Sequence, residues 1–243
     1  KLSTGLRINR ASDDAAGLAI SENLRSQVTG AKQARRNAQD GISALNIAEG
    51  AANETSSILQ RMRELAVQSS TETLTDSERA YTNQEFKQLN DEIDRIADVT
   101  NYNGMKLVSD DTGASRLGGG STGSALWIDA NDTTGTDSLT ITIDTLSTGT
   151  SGLAIADDNV GTQSGAVAAI TALDTAISSV NTMRSDIGSF VNRLEHTVNN
   201  LLVSETNQQA AESQIRDVDF AAESSDFTKN QILSQSATAM LSQ

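Results

Sequence analysis

The single histidine, His196, is the first place to look for chemistry, because an imidazole can move protons near neutral pH. It stands beside Glu195, with no second histidine and no HExxH string anywhere in the chain. A zinc hydrolase draws on two or more histidines, and a triad needs a partnered serine. A structural or solvent-facing role is therefore expected for His196. Carboxylates pair at Asp13/Asp14, Asp110/Asp111 and Asp157/Asp158. A Ca2+ loop needs six or more oxygens at set spacings, and none of these pairs has them, so they read as solvated turns. The glycines of GGGSTGS (118–124) carry no lysine and lack a strand-turn-helix setting, which argues against a phosphate loop. They read as a flexible segment, either a natural loop or an added linker. No catalytic residue, metal site or cofactor site is assigned, and the chain is not expected to be an enzyme.

One charged stretch stands out, LQRMRELAVQ (59–68). At helical spacing Leu59, Met62, Leu65 and Ala66 form a core face and leave Arg61, Arg63 and Glu64 largely outward. The plain reading is a solvated face with an ordinary ion pair. The sharper reading is a protein-binding surface, since Arg beside apolar residues is enriched at interfaces. That reading asks for Arg61 and Leu65 exposed one turn apart, with Glu85 brought near them by an antiparallel neighbour.

The element that must carry this stretch is a helix over Asp13 to Ser69. Counting in sevens from Leu24 gives Leu24, Ala31, Ala38, Leu45, Ala52, Leu59 and Ala66, all apolar. Such a repeat keeps one narrow stripe on one side of a helix, the pattern of lengthwise packing on another helix. Ala34, Gly41 and Ala48 beside it are small, so a partner can approach closely. Ser12-Asp13-Asp14 supplies a helix start, and roughly 57 residues would span roughly 85 Å. A second helix is expected from Asp76 to Ala97 or Thr100, with Phe86, Leu89, Ile93 and Ile96 inward, ending in a turn at Asn103-Gly104. Residues 105–165 change character. Leu126, Ile128 and Ala130, then Leu139, Ile141 and Ile143, alternate with polar residues and predict a β-hairpin near 124–146 around the turn NDTTGTDS. Residues 147–165 read as loop.

Helical periodicity returns at Ala166. Leu173, Val180, Ile187, Leu194 and Leu201 form one series, and Ile170, Ile177, Val191 and Val198 a second, interrupted by Arg184. These two make a seam for the first stripe. The seam changes after Leu202, where residues 204–214 are polar and lead into IRDVDFAAE (215–223), which keeps no helical stripe. A last helix over 226–243 offers Phe227, Ile232, Leu233, Ala237 and Leu241 with no evident partner in the chain, which suggests assembly with other chains. The fold expected is mainly α: an elongated antiparallel helical rod, a coiled-coil-like bundle, with a small β-hairpin region between the N- and C-terminal helices.

Composition agrees. The chain has 243 residues, 3% aromatic content, no proline, no cysteine and a formal charge of -14. Absent proline suits long helices, and absent cysteine removes disulfides and thiolate zinc sites without fixing a compartment. The negative charge argues against nucleic acid and against anionic membranes. No apolar run approaches the length of a membrane span. Because the chain begins at Lys1 and its amphipathic pattern runs to Gln243, natural residues are expected to be missing at both ends.

LSTGLRINRASDDAAGLAIS (2–21), NAQDGISALNIAEGA (37–51), LQRMRELAVQ (59–68), NDEIDRIADVTNYNGMKL (90–107), MRSDIGSFVNRLEHTVNNL (183–201) and IRDVDFAAE (215–223) together resemble bacterial flagellin. The resemblance covers about 2–107 and 166–243. It implies a connector from a terminal helical domain over 1–12, rod-domain halves over 13–104 and 166–214, a β region over 105–165, and a connector with part of a terminal-domain helix over 215–243. It further implies an extracellular filament subunit for swimming, exported unfolded through a type III channel without a cleaved signal peptide. Its implied partners are its own copies, an export chaperone and the filament cap. In many flagellins the segment matching LQRMRELAVQ is read by a vertebrate toll-like receptor; by motif position the contacting residues would be Arg61, Leu65 and Glu85, with Met62 in place of the Val common there. Terminal helices build the inner tubes of flagellin filaments, which agrees with the partnerless pattern that marks Phe227, Ile232, Leu233 and Leu241 as an assembly helix. Two other readings stand beside it: a hook–filament junction protein, and a cell-surface binder using the Thr/Asp-rich middle for glycans or cations.

Overall fold

The computed structural model describes residues 2–110, 124–129 and 137–241. The helices are α1 (Ala15–Ser69), α2 (Asp76–Val99), α3 (Gln163–Arg216) and α4 (Phe220–Leu241). Between α2 and α3 lie β1 (Asn101–Tyr102), β2 (Met105–Lys106), β3 (Ser124–Trp127) and β4 (Ser138–Ile141). β1 pairs antiparallel with β2, and β3 with β4, as two separate two-stranded sheets. The fold is thus mainly α with a small β region between the N- and C-terminal helices. Most of the chain that the turn NDTTGTDS and GGGSTGS occupy, with Asp111 and Ala130, lies outside the described residues.

The chain divides into two compact units, one mainly Lys1–Arg35 with Asn199–Gln243, the other mainly Arg36–Ile128 with Thr133–Val198. In the second unit α1 and α2 run antiparallel, tied at Ser69 to Thr82 and at Arg61 to Glu85. α3 is antiparallel to α1 as well, since Arg63 meets Asp174 while Glu49 meets Arg184 further back. The core is the expected stripe: Ala38, Leu45, Ala52, Leu59 and Ala66 of α1 against Leu173, Val180, Ile187 and Leu194 of α3, with Phe86 and Ile93 of α2. The other half of the α3 seam differs from expectation. Ala169, Ala176 and Met183 are buried there, while Ile170, Ile177, Val191 and Val198 are only half-buried beside it.

The local reasons are legible. Asp14 Oδ1 accepts from Gly17 N at 2.9 Å and starts α1, while Asp13 Oδ2 holds the turn before it through Asn9 N and Arg10 N. Thr75 and Glu78 form a reciprocal capping box at the start of α2. Asn103 (φ 50) and Gly104 (φ 80) make the two-residue turn joining β1 to β2, and Asn-Gly tolerates the left-handed backbone that such a turn demands. The loop expected over 147–165 is irregular up to Gln163, where α3 begins. It is nonetheless packed: Leu153, Ile155 and Val160 are buried. Asp94 accepts from Thr148 N and Oγ1, both at 2.8 Å, and Asn83 Oδ1 accepts from Val160 N at 3.1 Å, so this segment is strapped along α2.

In the first unit the polar residues 204–214, expected to lie in the rod half but without the apolar seam, continue α3 to Arg216. Charge replaces apolar contact there: Glu205 lies between Lys32 and Arg35, and Arg216 meets Glu22. The break comes after Arg216. Arg7 N donates to Arg216 O, Val218 N to Gly5 O, and the Arg7 guanidinium to Ile215 O. α4 then starts at Phe220, six residues before the expected 226. Asp219 Oδ1 accepts from Ala221 N and Ala222 N and so supplies a start signal inside IRDVDFAAE.

Candidate functional site

Two surfaces, one in each unit, carry the residues singled out from the sequence. On the second unit, Arg61 projects from α1 toward α2. Its Nε and Nη2 donate to Glu85 Oε1 at 3.0 and 2.9 Å, and its Nη1 to Glu64 Oε2 at 3.0 Å. Glu85 first, and Glu64 after it, hold the guanidinium above its ordinary pKa. Arg61 and Glu85 are brought together as expected, each about half exposed.

Leu65 is not part of that surface. It is 1% exposed and belongs to the cluster that also holds Phe86. It lies on the core face that helical spacing gives it with Leu59, Met62 and Ala66, all four of them buried, so the core-face reading holds and the expectation of an exposed Leu65 beside Arg61 is corrected. The exposed apolar residue nearby is Val67, one turn on from Arg63. Arg63 Nε donates to Asp174 Oδ1 at 2.6 Å, and this pairing lowers the Asp174 pKa. The Arg63–Asp174 pair went unread in the sequence, because its partners are 111 positions apart.

On the first unit, α4 has no buried residue. Phe227, Ile232, Leu233 and Leu241 are all exposed, with Phe220 and Met240 beside them. An isolated helix of this length is marginal in water, and natural helices gain their stability by burying an apolar face.

The other candidates carry little. His196 is exposed. Asp158 has its pKa raised, by burial first and by Asp157 second, and among the described residues no group of three His, Cys, Asp or Glu could hold a metal ion. Among the described residues no helix is long and apolar enough to cross a membrane.

A family model, the bacterial flagellin N-terminal helical region, matches residues 1–112, and the flagellin C-terminal helical region matches 170–243. The chain belongs to the bacterial flagellin family. Among its relatives, a flagellin of Halalkalibacterium halodurans is 47% identical across all of this chain and 85% of its own length. Flagellin FlaB2 of Treponema pallidum is 46% identical across all of this chain and 86% of its own. A crystal structure of Bacillus cereus flagellin superposes with a TM-score of 0.56 at 36% identity, covering 73% of this chain and 94% of that one. A Vibrio parahaemolyticus structure described as flagellar hook-associated reaches a TM-score of 0.66 at 18% identity over 84% of this chain, which shows a shared fold alone. This flagellin is therefore a structural protein, a subunit that self-assembles into the bacterial flagellar filament outside the cell.

Proposed function

We propose that this flagellin joins its filament through α4, with Phe227, Ile232, Leu233 and Leu241 packed against neighbouring copies. The observation that carries this is a helix of 22 residues with large apolar side chains and none of them buried. Family membership supports the accompanying steps: export of the unfolded chain through a type III channel, an export chaperone to shield the apolar helix, and a cap under which subunits add. Substituting Ile232 and Leu233 together by Ser is expected to abolish filaments in electron micrographs of seeded polymerisation. Normal filaments from that variant would remove α4 from the contact.

A second surface is favoured by the pre-organised Arg61 guanidinium. With Glu85 and Glu64 fixing its direction, an exposed arginine can meet a partner at little entropic cost. We assign this patch to contact with another protein, either the next subunit or a vertebrate toll-like receptor, with Leu65 acting from beneath as support. Arg61→Ala should weaken the receptor response to monomer, by thirtyfold or so if it is a hot spot, while the melting temperature stays near the parent's. Equal potency of variant and parent would return the patch to an ordinary solvated face.

A further inference from the structure

We propose that Arg79 is a positioning residue for the Arg61 surface: from the joint between α1 and α2 it holds α2 at the height on α1 where Glu85 meets Arg61. The inference rests on the reading of that patch as a contact surface, but its geometry stands apart from it. Arg79 is 7% exposed, unusual for an arginine. Its Nε donates to Ser69 O at 2.9 Å, its Nη2 to Thr71 O at 2.6 Å and its Nη1 to Asp76 Oδ1 at 3.1 Å. Ser69 is the last residue of α1. One guanidinium thus satisfies a carbonyl that the helix leaves without a partner and places a cation at the negative end of its dipole. The same planar fork reaches the connecting turn at Thr71 O, and the Asp76 carboxylate on its own helix steadies it, so two pieces of backbone, the end of α1 and the turn after it, are held to α2 by one rigid group. Ser69 Oγ and Thr82 Oγ1, 2.6 Å apart, tie the next turn of α2 to the same point.

The apolar contacts of α2, through Phe86, Ile93 and Ala97, supply attraction without direction. The α1 residues of the same cluster, Leu45, Ala52, Leu59 and Ala66, are apolar at every height of the repeat, so apolar contact alone does not single out one height. Buried charged hydrogen bonds are directional. A slip of one turn moves a helix by about 5 Å, which no ion pair of 2.9 Å survives. Arg79 therefore decides the register on which Glu85 and Arg61 meet, two turns further along α2.

The test reads Arg61 itself. In the full chain the Arg61 Nε–H resonance is followed by proton–nitrogen spectroscopy, with hydrogen exchange of the backbone amides at 71–75 alongside. Glu85→Ala calibrates the signal of an Arg61 that has lost its α2 partner and keeps only Glu64. Arg79→Met, which keeps the apolar stem, is expected to move the Arg61 resonance to that calibrated position and to speed exchange at 71–75 at least tenfold. Arg79→Lys should move it part of the way, because one ammonium cannot span three acceptors. Phe86→Leu, which loosens the same helix contact without touching the joint, should leave the resonance in place. A parent-like Arg61 signal in Arg79→Met overturns the proposal, and so does an equal displacement in Phe86→Leu. If Arg79→Met does not fold, Arg79→Lys decides by the same criterion. Should Arg61→Ala leave the receptor response unchanged while these spectra move as stated, the contact reading fails and the positioning by Arg79 stands.

Discussion

Arg61 keeps half of its side chain in solvent, while Leu65 one turn on is sealed in the core. Substitutions at the two sites should therefore separate cleanly. Leu65→Ala is expected to cost about 2 to 5 kcal/mol, the range for removing a large buried side chain, and denaturant titration checks it. A loss below about 1 kcal/mol would mean that Leu65 is surface after all. Acid should act through the exposed carboxylates. Asp174 is held below its ordinary pKa by Arg63, Glu78 by the Thr75 backbone, Glu92 by Arg95, and Asp98 by Lys106 and Ser109. A depressed folded pKa means that the unfolded chain binds more protons near pH 4. The stabilisation is present above the ordinary carboxylate range and is lost as pH falls through the folded values. Melting temperature should be level above about pH 5 and fall below it, with Asp158, raised by burial, acting in the opposite sense. A melting temperature that rises on acidification would show that Asp158 outweighs the other four. Asp174→Asn should flatten part of the fall.

Among the elements, the α1–α3 seam was readable because Leu and Val stand out against a polar background at a spacing of seven. Its other half was not readable in the same way. Ala169 and Ala176 look weakly apolar, and the bulkier Ile170 and Ile177 next to them drew the assignment; how far α3 is rotated on α1 chooses between the two sets. Leu45→Asp and Leu194→Asp should each cost several kcal/mol, since both sites are fully buried and the carboxylate would have no partner. Ile177→Asp should cost much less, because its side chain can turn to solvent. Circular dichroism melts compare the three, and equal losses would place Ile177 inside the seam. What holds the polar part of α3 after Leu202 was not readable for a related reason: ion pairs with Lys32, Arg35 and Glu22 replace the apolar seam there, and these partners are remote in sequence.

For the whole molecule, α4 contributes no buried residue to the single chain. Deleting 220–241 should leave the principal calorimetric transition at the parent temperature and remove assembly. A lowered transition would mean that α4 packs on its own subunit, and sedimentation of normal polymer would mean that assembly does not need it. The two outcomes separate a helix kept for stability from one kept for neighbours.

The sequence by itself determined the helical character, the antiparallel arrangement of long amphipathic segments, the position of the β3–β4 hairpin and of the turn at Asn103-Gly104, and the flagellin family. Periodicity, capping residues and motif order are local properties, and a local property can be counted along the chain. Tertiary structure decided which residues the helices hide and which they present. It brought Glu85 to Arg61, joined Arg63 to Asp174, and buried Arg79 at the joint of α1 and α2. Each of these depends on the rotation and height of one helix against another, a distance and an angle that no single segment contains.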